Sequence, residues 1–150
     1  MLARRLTDSL YVDAMLLADE ARAYFDASYR DDGQGHEVAA LEPFDRVLFS
    51  CESLKVTTRL MHIIAWLLTQ RAVDAGELSN DQLRDASRRL GPAVASEPDA
   101  LMRLPETART LIATSVDLYR RVERLDAGLG EEVVTTSPAR HLLHRLSQSF

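Results

Sequence analysis

Apolar side chains recur every three or four residues along three long segments, which is the spacing of one face of an α-helix. The first segment spans residues about 8–29, and Thr7 or Ser9 is placed to cap its start. We predict a first helix that packs through one apolar face. Its inner row is Leu10, Ala14, Leu17, Ala21 and Tyr24, widened by Tyr11, Ala18 and Phe25.

A second and a third long helix follow from the same pattern. Pro43 suits the first turn of a helix, and no breaker follows until Gly76, so we predict a helix over residues about 43–76. Another is predicted over residues about 105–127. Its inner row is Leu104, Ala108, Leu111, Ser115, Leu118, Val122 and Leu125, flanked by Ile112 and Tyr119.

The remaining segments are short or polar. Ser79 and Gln82 have the spacing of a capping box, which predicts a short helix over residues about 80–90. The polar run 30–37 reads as a loop. We expect an all-α three-helix bundle over residues 1–128, followed by a flexible tail, 129–150. The tail begins where Gly128 and Gly130 interrupt the pattern, and Ser137-Pro138 offers the start of an amphipathic piece carrying Leu142, Leu143, Leu146 and Phe150.

The central helix is apolar on two opposite faces. The first face, the Val47 row, keeps a spacing of four and three and is expected to face the bundle; it comprises Val47, Cys51, Leu54, Thr58, Met61, Ala65, Leu68 and Ala72. The second, the Phe49 row, comprises Phe49, Val56, Leu60, Ile63 and Leu67. Three possibilities remain for what buries the Phe49 row: the chain's own helices, the same face of a second copy in a homodimer, or another protein.

Between these faces lies the polar row, which comprises Lys55, Arg59, His62, Trp66 and Gln70. One interpretation is a solvated helix face on which Trp66 is half-buried, either under the third long helix or against the stem of an arginine. The other is a partner-binding strip, since Arg and Trp are enriched at the centres of protein interfaces. The sequence leaves both open.

Composition limits the partners. The net charge is -5, so the clustered basic field of a nucleic-acid-binding protein is not expected. No apolar stretch approaches the roughly 20 residues of a membrane span. The start of the chain lacks the apolar core of a signal peptide, and Cys51 is the only cysteine, so we expect a cytoplasmic protein without an internal disulfide.

The sequence predicts neither an enzyme nor a cofactor. The common signatures for nucleotides, zinc and acyl transfer do not occur. Cys51 is expected to pack as a small apolar residue. His141 and His144 lack further ligands for a metal, so no metal site is predicted. Glu52, with Arg59 and His62, would lie along a helical ridge and not around a cleft.

The sequence of the central helix resembles that of a known protein family. The run from Cys51 to Val73, with Thr-Thr-Arg-Leu-Met at 57–61, Trp-Leu-Leu at 66–68 and Gln-Arg-Ala-Val at 70–73, resembles the alphaproteobacterial family of the regulator of CtrA degradation. Segments between Leu104 and Asp126 are similar to that family's third helix. The family more often has Arg at position 55 and Gln at position 62.

The resemblance implies a dimeric three-helix bundle without an active site. It further implies an adaptor that delivers protein cargo, including a cell-cycle transcription regulator, to the ClpXP protease. Two alternatives from other classes stay open: a regulatory module binding a small ligand near Trp66, and a purely structural homodimer.

Overall fold

Three long helices make up most of the structure, a computed structural model that describes residues 2–28 and 36–149. Within these ranges the side chains of residues 2, 3, 36, 37, 130–142 and 144 are not described. The helices are α1 (Leu2–Ser28), α2 (His36–Ala39), α3 (Pro43–Asp74), α4 (Asn80–Leu83), α5 (Pro98–Leu101) and α6 (Glu106–Gln148), with a 3-10 turn at Ala86–Arg88. The long helices α1, α3 and α6 pack against one another, which confirms the predicted all-α bundle.

Helix α1 packs through the predicted face but starts earlier than predicted. Leu10, Ala14 and Leu17 are buried, as the periodicity requires. The helix begins at Leu2, so Thr7 and Ser9 lie inside it and do not cap it. Residues 2–6 are Leu, Ala, Arg, Arg and Leu, which favour helix strongly and carry it past the predicted start.

Helix α3 has nearly the predicted bounds. Pro43 occupies its first turn, where the missing N–H would have no partner within the helix. The helix ends at Asp74, and Gly76 has a φ of 77°, a left-handed conformation that glycine adopts without steric cost. The chain reverses there towards α4.

The short helix predicted over residues 80–90 is split in two. The capping box at Ser79 and Gln82 is present, with each side chain bonded to the other residue's backbone N–H. Helix α4 nevertheless ends at Leu83. The Asp85 carboxylate accepts hydrogen bonds from the backbone N–H and the hydroxyl of Ser87, which holds the local backbone in a 3-10 turn. These bonds lower the pKa of Asp85.

Residues 90–97 then run without helix or strand from the 3-10 turn to α5. We call this segment the strap, because it crosses both α3 and α6. It touches α6 through Gly91, whose carbonyl accepts from Tyr119 Oη at 2.6 Å, and α3 through the residues that follow.

Helix α6 buries its predicted row and continues beyond the predicted end. It passes Gly128 without a break and extends to Gln148, so the end predicted near residue 127 is wrong. A glycine inside a helix costs only about 1 kcal/mol relative to alanine, which flanking helix formers offset. Leu143 and Leu146 are exposed, whereas the side chain of Leu142 and the whole of Phe150 lie outside the described residues. The division into a bundle and a tail stays a prediction.

Candidate protein-interaction site

The two apolar faces of α3 have the opposite roles from those predicted. All five members of the Phe49 row are at most 4% exposed, and they pack in the core between α1 and α6. The Phe49 ring lies 5.3 Å from the Phe25 ring of α1, edge to face. The prediction of a dimer face on the Phe49 row is therefore wrong. Its side chains are the larger set, and a close-packed core takes the larger apolar volume.

The Val47 row, predicted to face the bundle, lies on the surface. Val47, Leu54, Met61 and Leu68 are 61%, 67%, 64% and 47% exposed. No Asp, Glu, Lys or Arg lies on this face between Val47 and Leu68, a distance of about 30 Å along the helix. A helix face that is exposed to solvent normally carries charged residues. Within the described part of the chain, this face has no cover.

The polar row lies beneath the strap. Arg59 Nη2 donates to the carbonyl oxygen of Val94 at 2.9 Å and to Ser96 Oγ at 2.6 Å. Lys55 Nζ donates to the carbonyl oxygen of Ala95 at 3.1 Å. His62 Nδ1 lies 2.9 Å from the carbonyl oxygen of Pro92. Together with Tyr119 on α6, the row binds four backbone carbonyls of one extended peptide.

A buried ionic cluster anchors the strap at its far end. Glu52 is 1% exposed and accepts from Lys55 Nζ at 2.9 Å and from the Ser96 hydroxyl. Arg59 is 2% exposed, and burial lowers its pKa while the nearby charge of Glu52 partly raises it again. Buried charges of opposite sign are tolerated when their hydrogen bonds are satisfied. Ser96 of the strap supplies two of these bonds, since its hydroxyl accepts from Arg59 and donates to Glu52.

Trp66 closes the other end of the row. It is 4% exposed, and its Nε1 donates to Asp126 Oδ1 on α6 at 2.9 Å. Arg89 Nε, just before the strap, donates to the same oxygen at 2.8 Å, and this bond raises the pKa of Arg89. Gln70 is half-buried, and its Nε2 has no hydrogen-bond partner among the described residues.

The prediction that the polar row is an open binding strip is therefore wrong for Arg59 and Trp66. Both are buried, and the peptide that covers the row belongs to the same chain. The other interpretation, a solvated face with Trp66 half-buried under the third long helix, is wrong for Arg59, which is 2% exposed and bonded to the strap. For Trp66 the contact with the third long helix, α6, is as expected, but the side chain is buried more completely, at 4% exposed. Sequence reasoning missed Ser96 and Asp126. The available signal was the spacing of Glu52 and Arg59, which lie seven residues apart, as members of a buried row do.

The arrangement offers little for catalysis. Glu52, Arg59 and His62 are bound to the strap and do not surround an open cleft. Cys51 is exposed, so the prediction that it packs in the core is wrong, for the same reason as the rest of the Val47 row. Across the described side chains no three His, Cys, Asp or Glu residues are gathered to hold a metal ion. The side chains of His141 and His144 are not among those that the structure describes.

Two shallow grooves lie elsewhere on the bundle, and Trp66 lines neither. One, about 250 Å³, lies between α1 and α6 beside Leu16 and Asp117. The other, about 380 Å³, lies where α1 meets the end of α3 beside Asp8 and Arg71. Trp66 is already packed and hydrogen-bonded, so a small ligand beside it finds no support. No helix in the described ranges carries an apolar stretch long enough to cross a membrane.

Comparison with known proteins fits this architecture. A family model described as "Protein of unknown function (DUF1465)" matches residues 1–150. The chain belongs to this family. It is also similar to a solved structure, "Crystal Structure of RcdA from Caulobacter crescentus CB15", with 31% sequence identity and a TM-score of 0.63, over 83% of this chain and 90% of that chain. No curated protein matches it. The RcdA-like resemblance carried by the α3 motif is confirmed.

Proposed function

We propose that this protein is a non-catalytic interaction module that serves as a regulatory adaptor. In this role it brings protein cargo to the ClpXP protease in the cytoplasm and takes part in cell-cycle control. The observation that carries the proposal is the Val47 row, an uncharged apolar face about 30 Å long on the surface of a well-packed bundle. Contiguous apolar surface of this kind marks a site that another protein covers.

The likeness to RcdA supports the adaptor role over other uses of such a face. An adaptor works by tethering, which raises the effective concentration of cargo at the protease. This mechanism needs docking surfaces and no active site. Assembly into a homodimer is part of the proposal, since two copies would present each docking surface twice.

A reconstituted degradation assay tests the proposal. Candidate cargo proteins are incubated with ClpXP and ATP, with and without this protein, and the rate of cargo loss is measured. We expect at least one cargo to be degraded about tenfold faster, corresponding to about 1.4 kcal/mol of added binding free energy. Equal rates across a proteome-wide set of cargo would contradict adaptor activity.

Two matched variants connect this activity to α3. Met61→Glu places a charge in the middle of the Val47 row, where the side chain is 64% exposed. Met102→Glu makes the same change at the end of α5, where the side chain is 71% exposed. We expect the first variant to lose the acceleration and the second to keep it, while both melt like the parent.

A further inference from the structure

We propose that the groove between α1 and α6 binds an amphipathic helix of a partner protein, one that carries arginine or lysine beside large apolar side chains. Every residue that lines this groove comes from α1 or α6 and none from α3. The inference therefore goes beyond the proposed function, which depends on the Val47 row of α3.

The floor of the groove is apolar. Leu17 of α1 and Leu118 of α6 are buried at its base, and Leu16 forms part of the α1 rim, where it is 61% exposed. The α1 residues of the groove run from Asp13 to Glu20, which is about 10 Å, or two helical turns. The space of about 250 Å³ accepts apolar side chains from a helix that lies along it.

Helix α1 is antiparallel to α3. Its Phe25 ring packs on the ring of Phe49, near the start of α3. Its Asp8 carboxylate pairs with Arg71, near the end of α3. The two contacts follow opposite orders along the two helices, which fixes their relative direction.

Helix α6, by contrast, is parallel to α3. Arg59 donates to the hydroxyl of Ser115, and further along both helices Trp66 donates to Asp126. Since α1 is antiparallel to α3, it is also antiparallel to α6. The residues on the two rims of the groove therefore meet in reverse order.

This order gives the groove two different ends. Asp13 and Arg121 share one end, Glu20 and Thr114 share the other, and Asp117 lies between them. Arg121 is near Asp13, so Glu20 and Asp117 are the carboxylates left without a neighbouring cation in the groove. Among the described residues, neither carboxylate has an ion pair or a hydrogen bond. An arginine or lysine from a partner would supply the missing charge.

The sequence of α1 strengthens this negative field. Between Arg5 and Arg22 the helix carries four acidic side chains and no basic one. Of these, Asp8 is already paired with Arg71. Such a field attracts a basic helix and repels an acidic one, so charge selects among the amphipathic helices that the apolar floor would accept.

The groove and the Val47 row lie on opposite sides of the bundle. The Phe49 row of α3 packs in the core between α1 and α6, so the reverse face of α3 points away from both helices. One molecule can therefore hold one partner on α3 and another in the groove without overlap. A protein that tethers two partners needs two separate surfaces of this kind.

Fluorescence anisotropy with the full chain tests the groove. The probe is a fluorescein-labelled helical peptide of alanine and glutamine with two leucines one turn apart, each flanked by an arginine. We expect a Kd on the order of 100 µM, because the contact is short. Glutamate in place of both arginines, or alanine in place of both leucines, should weaken binding about tenfold or more. Equal binding of the three peptides, or no binding of the first at about 1 mM, overturns the inference.

Two matched charge reversals locate the binding site. Asp117→Arg removes a carboxylate from the groove, and Asp99→Arg makes the same change on α5, outside the groove. We expect the first to weaken binding of the probe about tenfold and the second to leave it unchanged. Both side chains are exposed, so both variants should melt like the parent. If Asp117→Arg is unfolded, Glu20→Arg makes the same test from α1. An equal effect of the reversals inside and outside the groove would contradict a specific site.

A third pair of variants separates the groove from α3. Leu16→Ala should weaken binding of the probe, whereas Met61→Glu, in the Val47 row, should bind it like the parent. Loss of binding in Met61→Glu would place the peptide on α3 and overturn the inference. Because the anisotropy reads peptide binding directly, its outcome and that of the degradation assay are independent.

Discussion

Trp66 and Asp126 join α3 to α6 through a hydrogen bond of 2.9 Å from the indole Nε1 to Oδ1. The same carboxylate accepts from Arg89 Nε, and the backbone carbonyl of Asp126 accepts from Arg89 Nη2 at 2.9 Å. One aspartate thus binds a tryptophan of the core and the residue that leads into the strap. The strap is fixed to the bundle at this point before it crosses α3.

Replacing Trp66 with Phe removes the donor to Asp126 and part of the buried ring. We expect the free energy of unfolding to fall by about 1–3 kcal/mol, because the core loses part of a buried ring and a carboxylate that is only 14% exposed loses one of its bonds. Urea denaturation followed by far-UV circular dichroism measures this, since the variant has no tryptophan fluorescence. Asp126→Ala and the double variant complete a cycle. If the two losses simply add, Trp66 and Asp126 are not energetically coupled.

Arg59→Met tests the buried ionic cluster. The apolar side chain fits the space but removes one of the two positive charges near Glu52, which keeps its ion pair with Lys55 at 2.9 Å, so we expect a loss of about 2 kcal/mol. The strap also loses its bonds at Val94 and Ser96. Amide hydrogen exchange in residues 90–97 should therefore rise more than exchange in α1.

The partner substitution separates charge from packing at this cluster. Glu52→Leu together with Arg59→Met removes the carboxylate and the guanidinium, while Lys55, 25% exposed, can turn its ammonium group to water. We expect the double variant to be more stable than the sum of the two single losses predicts. Strictly additive losses would mean that the two charges do not compensate each other.

Gly91→Ala tests the fit of the strap on α3. A Cβ atom at this position would lie 2.7 Å from Cγ and Nδ1 of His62, so the imidazole must move and give up its contact with Pro92. We expect the melting temperature to fall by a few degrees, about 1 kcal/mol. Adding His62→Ala removes the clash, and Gly91→Ala should then cost little. An equal cost in both backgrounds would locate the strain elsewhere.

Tyr119 predicts a loss of stability at alkaline pH. Burial, followed by the charges of Glu123 and Asp126, raises its pKa above the ordinary value of 10.0. Its neutral hydroxyl donates to Gly91, and a phenolate cannot. A pKa raised by folding gives stability that is complete below the unfolded pKa and is lost as pH rises through the folded one. The difference in urea midpoint between the parent and Tyr119→Phe should shrink above pH about 10. A constant difference across that range would contradict this role.

Periodicity predicted the inner rows of α1 and α6 and the bounds of α3, because one apolar face and strong breakers determine them. On α3 it failed to choose between two rows of equal spacing. The decisive difference was side-chain volume: Phe49, Leu60 and Ile63 fill a core better than Cys51, Thr58 and Ala65. The same comparison identifies the Val47 row as the one left for a partner.

The strap could not be predicted from local sequence. Its contacts join residues 28 to 44 positions apart, and nothing near Ser96 indicates that it meets Glu52 and Arg59. Charged residues are read as surface by default, since they are rarely buried without a partner. The motif that contains Arg59 and Trp66 indicates the family correctly. These two side chains are nevertheless buried, and they bond to the strap and to α6 instead of forming a binding surface.

The strap's attachment also limits how this family can diverge. Four of its contacts are made to main-chain carbonyl oxygens, which every amino acid provides. Strap side chains that are exposed to water, such as Val94, can be substituted without loss of these contacts. Insertions and deletions in the strap are not tolerated in the same way, because they would shift each carbonyl away from its donor on α3 or α6. Relatives should therefore differ in the amino-acid sequence of this segment while keeping its length.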